Sequence, residues 1–202
     1  LRGRGLAAKL HLALSAAPDF AGLERADLGA RLLLAPTLDH VEQAFNHSKY
    51  GEFSAHPVME LTLPTAHDAT LAPAGRHVLS AVVQYAPYDL RGGWTEAARA
   101  AFLERILASI ERVAPGIRAR IEAAELLVPP DLEREFRLSG GHWHHAEFAF
   151  DQFFMVRPVP GAAQYSTPLA GLYLCGAGSH PGGGVNGLAG RNAARRVIEE
   201  GG

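Results

Sequence analysis

The sequence predicts an α+β domain, a mixed or antiparallel sheet carrying helices, and three observations predict it. Strand-like and helix-like segments alternate irregularly along the chain, with no internal repeat and no low-complexity tract. The length of 202 residues, 48% of them hydrophobic, is enough to bury a proper core.

Residues 7–14 set Leu10, Leu12 and Leu14 on one side and Lys9, His11 and Ala13 on the other, the period of a half-buried strand, and Pro18-Asp19 ends it. Asp39 is the expected cap of a helix reaching about Tyr50, with Val41, Ala44, Phe45 and Ser48 at helical spacing. Residues 58–63 and 78–85 read as strands, separated by a turn-rich stretch holding Pro64, Pro73 and Gly75. Thr95 is the expected cap of the next helix, with Glu96 in its first turn. Phe102, Leu103, Ile106, Ile110 and Val113 make its apolar stripe, and Pro115-Gly116 stops it. Residues 117–128 are open between a short helix and a strand, Pro129-Pro130 ends them, and 131–136 form another short helix.

Near the C-terminus, the apolar strand Leu172–Cys175 leads through a glycine run into a helix over 187–199. The packing face of that helix is expected to hold Leu188, Ala194, Val197 and Ile198. Gly182, Gly184 and Gly187 satisfy G-x-G-x-x-G, and a helix start offers unpaired amides that glycines let a ligand approach. A self-contained dinucleotide unit would need a further strand and an acidic residue about 20 positions on, and Gly202 comes first. Taken alone, the motif fits a plain tight connection equally well.

Composition narrows the function classes. Lys plus Arg number 19 against 21 Asp plus Glu, so no basic field holds nucleic acid, which is not expected as a partner. The single cysteine, Cys175, excludes an intramolecular disulfide and a cysteine zinc cluster, fits a cytoplasmic protein, and reads as a packed thiol. No apolar run approaches the roughly 18 residues of a membrane span.

His142, His144 and His145, with His180 further on, raise the possibility of a metal site. Adjacent histidines diverge in either regular structure and no H-E-x-x-H pair occurs, so the expectation is no metal and a polar segment at a cavity mouth. Ser15 and Ser179 lack a nucleophile elbow, which removes serine hydrolysis. Tyr85 and Tyr88 are candidates for a pocket wall or for packing, and Arg157 for an orienting or a structural role.

The run Leu172-Tyr-Leu-Cys-Gly-Ala-Gly-Ser-His-Pro-Gly-Gly-Gly-Val-Asn-Gly with Gly190-Arg-Asn-Ala-Ala resembles the C-terminal flavin segment of the phytoene desaturase-like FAD oxidoreductases. Within them it is most similar to the pyridine nucleotide-disulphide oxidoreductase-domain group. Further matches follow in the same order: Lys9-Leu-His-Leu-Ala-Leu-Ser with Pro18-Asp-Phe, Thr70-Leu-Ala-Pro with Gly75, Val83-Gln-Tyr-Ala-Pro-Tyr, Pro130-Asp-Leu-Glu, and Asp151 through Gly161.

The resemblance implies a substrate-side α+β domain over 1–165 whose sheet roofs a flavin. It also implies that 166–202 is a strand, glycine loop and helix belonging to a Rossmann-like FAD domain whose N-terminal part, the ADP grip, is missing here. The chain is therefore expected to be a C-terminal portion, inactive alone and without tightly bound FAD. Gly176, Ala177, Gly178 and Ser179 are implied to pass the ribityl and pyrophosphate portion, and Gly184, Val185, Asn186 and Gly187 to face the pyrimidine edge. Two positions depart from the family: many relatives carry an acidic residue near Ser179, and this group often has an apolar one at Asn186. Catalytic side chains are not identified. Implied partners are a small apolar or amine substrate and the missing FAD-binding region, with peripheral membrane contact and homodimerisation as further expectations. The rival reading is a non-catalytic interaction domain derived from the same fold.

Overall fold

A computed structural model of the chain describes residues 3–184 and 186–201. Its centre is β1 (Ala7–Leu14), whose side chains alternate between the two faces: Ala8, Leu10, Leu12 and Leu14 are fully buried. Around it stand β2 (Leu32–Leu34), β3 (Val58–Thr62), β4 (His77–Gln84) and β5 (Ile121–Leu127), in the order β2-β3-β4-β1-β5 with every neighbouring pair antiparallel. The expected α+β class with an antiparallel sheet is what the chain adopts. Among the described residues no helix is long and apolar enough to cross a membrane.

The dry face of the sheet is closed by α2 (Glu96–Val113). Phe102, Ile106 and Ile110 of α2 are buried in one cluster with Leu10, Leu12, Met59, Leu61, Leu79 and Val83, each such side chain contributing roughly 1.5–3 kcal/mol. The Thr95 hydroxyl accepts from the Ala98 amide at 3.2 Å, the cap the sequence predicts. Leu103 and Val113 of the predicted stripe pack, half-buried, against the same cluster.

Before the C-terminal segment, two elements differ from the sequence expectation and a third, left open there, is decided. Helix α1 (Leu38–Lys49) is capped by Thr37, whose hydroxyl accepts from the His40 amide at 3.1 Å; Asp39 instead lies in the first turn. The ambiguous 117–128 stretch becomes strand β5 because β1 offers it a free edge, pairing Lys9 with Leu127 and Leu12 with Ala124. β2 was not expected at all, since three leucines are too short a run to show a period.

The largest departure is C-terminal. Residues 172–175 do not form a strand: Tyr173 makes one isolated bridge to Ser166, and Leu172 is 49% exposed. Among the described residues no strand lies alongside to complete a ladder; the Leu174 amide donates to the Tyr165 carbonyl at 2.8 Å and the Leu172 amide turns back to the Leu169 carbonyl at 3.1 Å. Cys175 is exposed rather than packed for the same reason. Helix α4 (Leu188–Gly201) forms, but on a different seam: Ala189 and Ala193 are buried against Tyr165, while Val197 and Ile198 of the expected face are 43% and 74% exposed.

Helix α3 (Pro129–Phe136) is tied to α2 through Asp131, which is 2% exposed. Both Asp131 oxygens bond the Arg99 guanidinium, one accepts from the Val128 amide at 3.0 Å, and Arg134 lies at 2.8 Å. Burial works to raise the Asp131 carboxyl, but the Arg99, Val128 and Arg134 bonds outweigh it and hold it below the ordinary carboxylate range. A carboxyl depressed in the folded state contributes stability above its unfolded value, and loses it as pH falls through the folded one. Asp131→Asn should therefore cost about 3–5 kcal/mol in urea unfolding at neutral pH, because it leaves the Arg99 charge without its partner. The wild type should lose that difference progressively as pH falls from about 4, the ordinary carboxylate value at which the unfolded chain takes up the proton, towards the lower value of folded Asp131; a variant penalty independent of pH would contradict the ion pair.

Candidate functional site

The chain leaves α3 through Gly140 and Gly141, with φ of 66° and 63° in the left-handed region that glycine permits. A Cβ on Gly140 would overlap the Gly3 carbonyl, and one on Gly141 the Pro129 carbonyl. The Gly5 amide donates to the Gly140 carbonyl at 2.7 Å, just before β1. Glu133 accepts from the Gly140 amide at 2.8 Å and from the Tyr88 hydroxyl, and these two bonds hold its carboxyl below the usual range. The start of the histidine segment is thus fixed against one end of the central strand.

That segment then lies on the glycine loop. Gly178 faces His145, whose Cβ stands 3.5 Å from where a Gly178 Cβ would be; Gly183 has the same relation to His144 Nδ1 at 3.1 Å. The Phe148 ring occupies the space a side chain on Gly182 would need. Gly176 and Gly187 have nothing within 4 Å of an added Cβ and line open space. Ser179 is buried, its amide donating to the Gly176 carbonyl at 3.0 Å, and Gly184, Asn186 and Gly187 are exposed. The Asn186 side chain accepts from the Leu188 amide at 3.0 Å, closing an Asx-turn that leads into α4. Val185 lies outside the described residues.

Arg157 joins the two segments. It is 1% exposed, and its Nη2 donates to the carbonyls of His144 and Ala177, each at 2.8 Å, with Nε 3.3 Å from the Ala177 oxygen. Because a trans peptide sets C=O and N–H in opposite directions, drawing the Ala177 carbonyl inward turns the Gly178 amide outward. The guanidinium stacks on Phe148 at 4.9 Å, and burial pulls its pKa below the usual arginine range. His142 is likewise held below its ordinary value, by burial first and by His144 next, and is neutral at physiological pH. Among the described residues no group of three histidine, cysteine or acidic side chains converges on a metal position.

Tyr165 pins α4 to the loop. Its hydroxyl donates to the His180 carbonyl at 2.9 Å and accepts from Asn192 at 2.8 Å, at the edge of a cleft of about 310 Å³ also lined by Arg195 and Arg196. Tyr85 stacks edge-on against Phe45, and Tyr88 bonds Glu133; both make packing contacts.

The second face of the sheet carries residues that sequence reasoning did not single out. Lys9 and His11 sit side by side on the central strand, pairing across to Val82 and Ser80, and Ser80 Oγ lies 3.3 Å from His11 Nδ1. Burial holds both below their ordinary values, with the Lys9 charge adding to the effect on His11. Their alternation with buried leucines was the available signal.

No protein-family model matches the chain. It is 47% identical over 162 residues to mouse "Pyridine nucleotide-disulfide oxidoreductase domain-containing protein 2", covering 79% of this chain and 28% of that protein. It is 30% identical over 164 residues to "Phytoene desaturase (lycopene-forming)" of a Paracoccus species, covering 78% and 30% respectively. It is also 29% identical over 170 residues to a limonene dehydrogenase polypeptide of Castellaniella defragrans, covering 80% and 30%. The chain thus spans less than a third of the length of these relatives.

Tyr165→Phe should remove both hydroxyl bonds and loosen α4 by about 1–2 kcal/mol. Hydrogen exchange at residues 189–196 should quicken while β1 and β4 keep their protection; unchanged exchange in α4 would show that the apolar seam alone holds the helix.

Proposed function

This chain is a relative of the pyridine nucleotide-disulfide oxidoreductase domain-containing proteins and, more distantly, of phytoene desaturases, and from that relationship we propose that it forms the substrate-side domain and flavin-contact loop of an FAD-dependent oxidoreductase. The observation that carries the reading is similarity along four-fifths of the chain to proteins of that kind, in a chain whose glycine loop opens onto free space.

The residues of the loop fit the cofactor. Gly176 and Gly187 border open space from which a cofactor can approach their backbone, and Arg157 Nη1 is a buried donor without an acceptor among the described residues. Gly176, Ala177, Gly178 and Ser179 would hold the ribityl and pyrophosphate portion, and Gly184, Val185, Asn186 and Gly187 the pyrimidine edge. When bound, FAD supplies the acceptor for a hydride taken from a substrate carbon. The protein supplies position: Arg157 sets the Ala177 peptide, the outward Gly178 amide presents a donor, and α4 directs the positive end of its dipole at the loop. The sheet face with Lys9 and His11 offers a neutral imidazole and a partly desolvated amine to the substrate side.

The relatives are named for limonene and for phytoene, both hydrocarbons, which favours an apolar substrate over an amine. Ten of the sixteen large apolar side chains exposed among the described residues lie between Phe148 and Ile198, among them Phe150, Met155, Leu169 and Ile198. Such a surface supports a further protein layer packing there, the FAD-binding region of the same enzyme.

The test is to express the whole reading frame in which this chain lies and record the visible absorption of the purified protein. Stoichiometric flavin is expected, and anaerobic bleaching by an apolar alkene substrate would follow. Gly178→Asp should weaken flavin retention about tenfold or more, equivalent to ~1.4 kcal/mol, by adding a negative charge to the loop. A colourless wild-type protein that takes up no added FAD would defeat the proposal.

A further inference from the structure

Only two charged side chains are buried among the described residues, Asp131 and Arg157. They are balanced differently. Asp131 has Arg99 and Arg134 against it, whereas among the described residues no carboxylate pairs with Arg157. An unpaired buried charge is costly to keep, and a protein tolerates one where a ligand of opposite charge completes it.

The contacts of Arg157 define which part of it is committed. Nε and Nη2 are taken up by the carbonyls of Ala177 and His144, while Nη1 is buried with no acceptor among the described residues. The guanidinium plane is covered by the Phe148 ring, which is itself 49% exposed and fits there because Gly182 has no side chain. Ala177, which the arginine grips, stands in the loop segment assigned above to the pyrophosphate portion of the cofactor.

We propose that Arg157 is the counter-cation of an oxyanion received at the glycine loop: its Nε and Nη2 hold the loop in place, and its Nη1 donates to a phosphate oxygen of the dinucleotide. An arginine suits this dual role because its fixed fork presents donors in two directions at once and stays charged when buried. The identity of the anion rests on the flavin reading; the presence of an oxyanion site does not.

Two experiments separate those layers. In this chain, isotope-labelled and titrated with inorganic diphosphate, the Arg157 side-chain resonance should shift in a saturable manner together with the Gly178 amide. Arg157→Met should abolish the shift at Gly178, Arg157→Lys should retain part of it, and Phe148→Ala should bind diphosphate as tightly as the wild type or more tightly. In the whole flavin-containing enzyme, stripped of cofactor and titrated with FAD, Arg157→Met should bind about tenfold or more weakly, with Arg157→Lys between it and wild type. Diphosphate binding without FAD binding would keep the oxyanion site and remove the flavin reading. Equal FAD affinity in wild type and Arg157→Met, or a wild-type Arg157 resonance that diphosphate does not move, would overturn the assignment of Arg157. The wild-type titration decides the matter even if the methionine variant fails to fold.

Discussion

The alternation of β1 is the constraint on which the rest of the structure depends. Four side chains of one parity, Ala8, Leu10, Leu12 and Leu14, must leave water together, and only a covered sheet face satisfies them at once. That requirement seats α2 over the sheet, gives β4 and β5 their registers on either side, and leaves Lys9 and His11 on the opposite face. The same strand begins just after Gly5, whose backbone meets Gly140 so closely that side chains on either would collide with the other's neighbourhood. The hydrophobic core therefore also fixes where the histidine segment begins.

Beyond residue 141 the chain is held by different physics. Its described apolar core is small, Tyr165 with Ala189 and Ala193, and polar pins take over: Arg157 to two carbonyls, Tyr165 to His180 and Asn192, and Glu200 to Ser166, Tyr173 and Arg196. Hydrogen bonds contribute less net stability than buried area, yet they are directional, and direction is what a ligand loop needs. The arrangement holds the Ala177 carbonyl and the start of α4 in place while large apolar side chains such as Phe150, Met155 and Ile198 stay exposed.

The two halves meet in function. An oxidoreductase of this kind needs a floor that grips the cofactor and a roof that presents substrate, and the proposed roles divide along that line: loop and Arg157 below, the Lys9 and His11 face above. The glycine crossing at 140–141 is the mechanical link between them, since it ties the loop-bearing segment to the start of the sheet's central strand.

The sequence by itself determined the elements whose signals are local and periodic. Strand β1, the capped helix α2 with its stripe, strands β3 and β4, the short helix α3 and the relationship to the pyridine nucleotide-disulfide oxidoreductase domain-containing proteins were all legible in it, because alternation, caps and motif spacing are properties of neighbouring residues. Tertiary structure alone decided the rest. Residues 121–127 became a strand because a free edge was available; residues 172–175 did not, for want of neighbours; α4 turned its alanines rather than Val197 and Ile198 inward because Tyr165 stood on that side. Arg157 was open in sequence between an orienting and a structural role, and only the fold, by closing two carbonyls and an aromatic ring around it, made it a buried charge with no carboxylate partner among the described residues. Pairing, burial and counter-charge depend on residues distant along the chain, so no local pattern encodes them.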